Sequence, residues 1–206
     1  MAAVPKADVR LDLLAALRSI PGLAIISDEE GLKPFETDAF IAHRETPMLA
    51  VLPESEAQVR DVVKACRRLG VPVVSRGAGT GISGGAIPRR DGVLLVLSKM
   101  RHVLEVDPAR RAARVEPGVR NLQVSETVAR HGLFYAPDPS SQSICSIGGN
   151  VAENAGGVHC LKYGLTVHNI LKIRAITIEG EIVDIGTEGL DAPGYDLLAL
   201  MTGSEG

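Results

Sequence analysis

Residues 72–85 read Pro72-Val-Val-Ser-Arg-Gly-Ala-Gly-Thr-Gly-Ile-Ser-Gly-Gly85, an apolar strand running straight into a loop with five glycines in nine positions. Within it, Gly79-Thr-Gly81-Ile-Ser-Gly84 has the spacing of a dinucleotide fingerprint, and Glu105 follows about 20 residues on, where such a fingerprint wants an acid. A Rossmann unit requires the third glycine to open a helix that crosses back to a parallel strand. Only residues 86–92 separate Gly85 from the next apolar strand at Val93, and they include Pro88 and an Asp91-Gly92 turn. No crossover helix fits in that length. A nucleoside-triphosphatase phosphate loop is excluded as well, because Gly-Lys-Ser and Gly-Lys-Thr are both absent.

What remains is a loop rich in backbone amides. Glycine permits positive φ and close approach, and successive N–H groups then form an anion-binding nest. Thr80 and Ser83 add hydroxyl donors, and Arg76 can pair with a phosphate or brace the loop. This chemistry suits a pyrophosphate. The plain alternative is a tight connection between two strands.

Working outward, strands and helices alternate around this loop. Ala7–Ser19 reads as a helix with Leu11, Leu14, Ala15 and Leu17 near one face, stopped by Pro21-Gly22. Ala24–Ile26 is a short strand, and the polar stretch Ser27–Pro47 is expected to wrap over the surface. Leu49–Leu52 is a strand. Ser55 is a suitable N-cap for a helix reaching Leu69, with Val59, Val62, Val63, Cys66 and Leu69 on one face and Gly70 at its close. Val71–Ser75 and Val93–Leu97 read as strands, the first of them buried, and Val103–Val106 with Ala112–Val115 as a hairpin around Asp107-Pro108. Asn121 is expected to cap a helix to Arg130, ended by His131-Gly132. Ile170–Ile178 and Ile182–Ile185 read as strands joined at Glu179-Gly180-Glu181, and Leu197–Met201 as a last helix. The closing loop Thr202-Gly-Ser-Glu-Gly206 reads as a truncation point.

Composition narrows the function classes. With 45% apolar and 23% charged residues among 206, the chain is ordinary for a globular protein. A net charge of −3 without a basic stripe, and only three Phe, three Tyr and no Trp, argue against nucleic-acid binding. Cys66, Cys145 and Cys160 are odd in number and lack CxxC spacing, against a disulfide framework or structural zinc. His159 beside Cys160 has no third ligand partner in the pattern, so no metal site is expected. No apolar run reaches the roughly 20 residues that span a bilayer, and no secretory signal is visible. A cytoplasmic location is expected, with association at the inner membrane face left open.

A second segment, Pro137-Asp-Pro-Ser-Ser-Gln-Ser-Ile-Cys-Ser-Ile-Gly-Gly-Asn-Val-Ala-Glu-Asn-Ala-Gly-Gly157, holds small residues, hydroxyls and amides with hardly any bulk. It suits a planar ligand with a polar edge, such as flavin. Together with residues 72–85, Lys162-Tyr-Gly-Leu-Thr-Val-His-Asn169 and Thr202–Gly206, it resembles the FAD-binding domain of the vanillyl-alcohol-oxidase-like (PCMH-type) flavoproteins. The hydroxy-acid branch, with the glycolate oxidase flavin subunit and the D-lactate dehydrogenases, is the best match, over about residues 30–206.

The resemblance implies an α+β fold of two small α/β subdomains with FAD between them. It places an N-terminal helix and surface segment at residues 1–46 and the FAD-binding domain at 47–206, divided near residue 118 and incomplete at its C-terminus. It implies that Arg76, Gly77, Ala78, Gly79, Thr80, Gly81, Ser83 and Gly84 wrap the pyrophosphate, that Asp138, Ser141, Gly148, Gly149, Asn154 and Gly157 serve the flavin side, and that Ile182 and Val183 lie near the adenine. Asp138, between two prolines, has a turn-capping role as its alternative. Cys145 does not match the covalent attachment position, so FAD is expected to be non-covalent. The implied reaction sends hydride from a small 2-hydroxy acid to flavin N5 and electrons to a non-oxygen acceptor, which admits an iron–sulfur or other electron-transfer partner subunit. No base or carboxylate clamp stands out, so no catalytic residue is assigned and that machinery is expected beyond Gly206. The alternatives are an alkyl-dihydroxyacetonephosphate-synthase-like or cell-wall-precursor-reductase-like flavoenzyme, or a flavin-binding module without catalysis.

Overall fold

Why a loop rather than a helix follows the first glycine-rich strand is visible in the computed structural model, which describes residues 7–189 and 194–205. Gly206, the last residue of the terminal motif, lies outside them. The chain divides into two compact units, Met1–Lys99 with Ile176–Ile182, and Met100–Ala175 with Val183–Gly206.

In the first unit, helix α1 (Ala7–Arg18) leads through strand β1 (Ala24–Ile26), the one-turn helix α2 (Glu29–Leu32), strand β2 (Leu49–Leu52), helix α3 (Glu56–Arg68) and strand β3 (Val73–Arg76) to strand β4 (Val93–Val96). The sheet order is β1-β2-β4-β3. β4 lies parallel to both neighbours, with Ala50 and Val74 each in register with Leu94, and β1 runs antiparallel along β2. β3 and β4 are thus adjacent parallel strands joined by residues 77–92 without a helix. The Rossmann unit is absent for the reason its length suggested.

β4, apolar throughout and buried along its length, forms the centre of the sheet. Leu32, Ala50, Leu94 and Val96 form one core cluster, with Ile26, Phe35, Leu52 and Val74 against it. α3 behaves as its pattern predicts: the Ser55 hydroxyl accepts from the Gln58 amide, Val59, Val62, Val63 and Cys66 are buried, and Gly70 closes the helix at φ +65°. Three expectations are corrected. α1 buries Leu13 and Leu17, with Leu11 63% exposed, because a Leu-rich run satisfies several helical stripes and only the i, i+4 pair turns inward, on the side packed against α3. Ser27–Pro47 is not merely a surface wrap: Asp28 caps α2 by accepting from the Gly31 amide, and Leu32 and Asp38 are buried. β3 is only half buried, as an edge strand.

In the second unit, strands β5 (Val103–Asp107) and β6 (Ala112–Val115) form the expected hairpin. Helix α4 (Asn121–Val128) is followed by helix α5 (Ile147–Glu153) and the one-turn helix α6 (Cys160–Tyr163). Strands β7 (Lys172–Ile176) and β8 (Ile182–Gly186) pair as a two-stranded sheet, and helix α7 (Leu197–Met201) comes last. Val119, Val124 and Ile147 form the core here, with Val103, Val115 and Tyr135 packed against it.

Two readings of this unit change. Asn121 is not a cap but the first residue of α4, 1% exposed, and its amide donates to the Pro137 carbonyl at 2.9 Å and to Asn150 Oδ1 at 2.8 Å. Residues 147–153, to which the sequence pattern assigned no element, are helical and capped by Ser146, whose hydroxyl accepts from the Gly149 amide.

Candidate functional site

The first glycine loop stands on a buried cation. Arg76, at the end of β3, is 9% exposed. Its Nη1 donates to the Thr37 carbonyl at 2.8 Å and to the Ala86 carbonyl at 3.5 Å, and its guanidinium lies 5.8 Å from the centre of the Phe35 ring. Burial lowers the pKa of this guanidinium below its ordinary value, and the nearby Asp38 carboxylate acts in the opposite sense. Asp38 in turn accepts from the amides of Phe40 at 2.8 Å and Ala86 at 3.3 Å. Both ends of the loop therefore rest on one Arg–Asp support. Gly79, at φ +71°, sits directly on the guanidinium, and a Cβ there would collide with it. Of the two roles the sequence left to Arg76, the geometry displays bracing.

Above this support, the backbone N–H groups from Ala78 to Gly85 find no acceptor among the described residues, and neither do the hydroxyls of Thr80 and Ser83. Eight consecutive unpaired donors in an ordered loop need an external acceptor, which water or an anion supplies. Positive φ at Gly79 and Gly84 lets the chain turn within this stretch. Thr37 and Asp38 were missed from sequence. They lie in a stretch without periodicity, and neither carries a motif.

The second glycine segment is built differently. The Gly148 amide donates to the Pro117 carbonyl at 2.8 Å, and a Cβ on Gly148 would press on Pro117. The Gly149 amide is taken by Ser146. Asn154 ends α5 at φ +49°, and its Oδ1 accepts from the Val167 amide at 3.0 Å. Gly157 lies against the Asp138 main chain so tightly that a Cβ would overlap its carbonyl. Asp138 accepts from the His159 amide at 3.2 Å and meets His159 Nδ1 at 2.6 Å. Burial alone would raise the Asp138 pKa, but these bonds from His159 hold it below the ordinary carboxylate value. The Ser141 hydroxyl has no partner among the described residues, while its carbonyl accepts from Ile144 and Cys145. Ile182 and Val183, both half-buried on β8, are consecutive and so point to opposite faces of the hairpin. Asp138 and Gly157 are in contact; Gly148, Gly149 and Asn154 are spread along α5.

Residues 47–186 match the protein-family model described as "FAD binding domain".

The chain belongs to the FAD-binding domain family.

Its cofactor is FAD, and the unpaired amides of 78–85 are donors of the kind a pyrophosphate needs. The chain is 58% identical over 205 residues to the glycolate oxidase subunit GlcD of Escherichia coli (strain K12), covering 99% of this chain and 41% of that protein. It is 38% identical over 173 residues to a D-lactate dehydrogenase of Archaeoglobus fulgidus, covering 83% of this chain and 39% of that protein. Among solved structures, an alkyldihydroxyacetonephosphate synthase matches with a TM-score of 0.80 at 21% identity, over all of this chain and 39% of that one. That likeness shows the fold, in agreement with the α+β, PCMH-type expectation. Among the described residues there is no cluster of three or more His, Cys, Asp or Glu able to hold a metal ion, and no helix is long and apolar enough to cross a membrane.

Proposed function

We propose that this chain supplies the FAD-binding portion of a flavin-dependent 2-hydroxy-acid dehydrogenase of the glycolate or D-lactate type. The observation that carries the cofactor role is the run of unpaired amides from Ala78 to Gly85 on the buried Arg76–Asp38 support. The substrate class rests on likeness to relatives named for glycolate and D-lactate, of which the chain spans 41% and 39%.

In this reading Gly77, Ala78, Gly79, Thr80, Gly81, Ser83 and Gly84 hold the pyrophosphate by main-chain and hydroxyl donors. Arg76 contributes by fixing the loop. Asp138, Ser141, Gly148, Gly149, Asn154 and Gly157 form the flavin side, where Gly148, Gly149 and Gly157 serve by close approach, their backbones leaving no room for a Cβ or having their amides already engaged. Ile182 or Val183 packs on the adenine. Cys145 is buried with Sγ accepting from Asn150, which favours non-covalent FAD. When bound, FAD supplies hydride acceptance at N5, and the electrons pass to a non-oxygen acceptor, which an iron–sulfur or other electron-transfer subunit at the inner membrane face would provide.

The test is an absorbance spectrum of the purified protein with and without added FAD. Flavin bands that leave with the supernatant after acid precipitation support non-covalent binding, and Gly79→Val should abolish them. A protein that takes up no FAD at micromolar concentration refutes the cofactor reading. The substrate reading is tested on the whole dehydrogenase of which this is a portion, and a flavin there that no 2-hydroxy acid bleaches refutes it.

A further inference from the structure

The two units use their apolar side chains unequally. Among the described residues, the first buries eighteen of them and leaves five large ones exposed. The second, of nearly the same length, buries six, Met100, Val119, Val124, Val128, Cys145 and Ile147, and leaves nine large ones exposed. Its strands form two separate two-stranded sheets, β5-β6 and β7-β8. A two-stranded sheet is marginal in water until further strands or a helix pack on it. Apolar burial is what offsets the entropy of ordering a chain, so a unit with more large apolar groups outside than apolar groups inside is short of cover.

The most exposed of these groups share one short segment with an aromatic neighbour. Val158 and Leu161, 86% and 99% exposed, lie three apart across the start of α6. Tyr163, at the end of α6, meets the exposed Phe134 edge-on, with ring centres 5.8 Å apart. The segment is held at both ends. The His159 amide donates to Asp138 Oδ1 at 3.2 Å, the Gly164 amide closes α6 on the Cys160 carbonyl at 2.8 Å, and Asn169 Nδ2 donates to the Tyr163 and Leu165 carbonyls at 3.0 and 2.9 Å. A backbone tied in this way holds Val158 and Leu161 outward, and an apolar patch on ordered chain marks a contact surface. Lys162, whose ammonium sits over the Tyr163 ring at 5.0 Å, and Arg130 are the Lys and Arg of residues 158–165 and 130–134. Two cations are fewer than the roughly four to eight that an anionic lipid surface recruits, so the chemistry of this face is that of a protein–protein contact.

We propose that the face carrying Phe134, Val158, Leu161 and Tyr163 is the seat of the rest of the dehydrogenase polypeptide. The proposal rests on the reading above that this chain supplies one portion of a larger enzyme. The chain spans 41% of the glycolate oxidase subunit and 39% of the D-lactate dehydrogenase it resembles, so more than half of each relative is available as the occupant. That occupant brings aliphatic or aromatic side chains against Val158 and Leu161 and excludes water from them. It thereby supplies the burial that the second unit lacks on its own.

The test is hydroxyl-radical footprinting of the whole dehydrogenase, read by mass spectrometry, with and without FAD. Leu161, Val158 and Phe134 should be oxidised at least about tenfold more slowly than the same residues in an unfolded peptide, as contact burial requires, and equally so after FAD is removed. In the same enzyme Leu161→Glu should lower Tm by about 5 °C or more, because it puts an unpaired charge into an apolar contact, while Leu161→Met should leave Tm within about 2 °C. Where Leu161→Glu yields no folded enzyme, the wild-type footprint decides. Leu161 reacting as a free leucine overturns the proposal. So does protection that appears only with FAD, only with anionic vesicles, or only at concentrations where the enzyme self-associates, since each gives the face another occupant. Flavin bleaching by glycolate and D-lactate on the same enzyme keeps the two readings apart. A protected Leu161 with no bleaching leaves the seat standing and removes the substrate reading alone, and bleaching with a reactive Leu161 does the reverse. A reading frame that stops at Gly206 removes the seat.

Discussion

Replacing Arg76 by Met removes the cation beneath the glycine loop while keeping a side chain of comparable length. The charged hydrogen bond to the Thr37 carbonyl, at 2.8 Å, is lost, a contribution of about 1.5–3 kcal/mol. The contact over Phe35 goes with it, at about 0.5–2 kcal/mol. Asp38, 5% exposed, keeps its two amide donors but loses its nearest cation. Methionine recovers some apolar packing against Phe35. The net expectation is a loss of about 3 kcal/mol, the sum of the lost hydrogen bond and ring contact less the packing that methionine recovers. With a urea slope of about 2 kcal/mol per molar, the unfolding midpoint should fall by about 1.5 M. Because the loop ends rest on the same support, FAD affinity should fall as well, and Arg76→Lys should recover less than half of either loss, its point charge replacing only part of the planar fork. The measurement is urea unfolding by circular dichroism with FAD titration in parallel. A midpoint within about 0.3 M of wild type, at unchanged slope, would refute the bracing role.

Two glycines separate steric from conformational cost. Gly157→Ala should abolish FAD retention and lower Tm, since its Cβ overlaps the Asp138 carbonyl, whereas Gly132→Ala, at φ +69° with open space around it, should cost only about 1 kcal/mol and leave FAD binding intact. Asn121→Ala strands the Pro137 carbonyl and Asn150 Oδ1 in the core and should destabilise by about 2–4 kcal/mol in urea unfolding. Alkaline pH should destabilise the fold. Burial raises the Cys66 thiol from 9.0 to about 12, and burial raises the Tyr135 phenol from 10.0 to about 12, so both contributions are complete below pH 9 and are lost as the unfolded chain ionises between pH 9 and 12. Unfolding midpoints measured at pH 8 and 10.5 check this, with Cys66→Ala reducing the difference.

Legibility followed the locality of the signal. Ser55, the α3 stripe and Gly70 could be read because capping and periodicity act within a turn or two of chain. Helix α5 could not. Gly148 and Gly149 suppress helix propensity, and what holds the helix is the Ser146 cap, the Gly148 amide on Pro117 and buried Asn150 bonded to Asn121. Asn121 misled for the same reason: a residue that favours caps was used for a partner twenty-nine positions away. The nest at 78–85 was visible as glycine content, but its support came from Thr37 and Asp38, in a stretch that reads as loop.

The strand order β1-β2-β4-β3 also dictates a sequence of events during synthesis. β2 and β3 both emerge before β4 and never touch, since the one neighbour they share is β4 between them. Until Val93–Val96 leaves the ribosome, Leu49–Leu52 has only the three-residue β1 beside it, and Val73–Arg76 has no neighbour. The first sheet therefore closes late and all at once, when one wholly apolar strand inserts between two waiting edges. That contact is long-range and slow to find. A nascent chain halted near residue 90 would carry two open edges, and sticking to its neighbours at that point is the hazard this topology builds in.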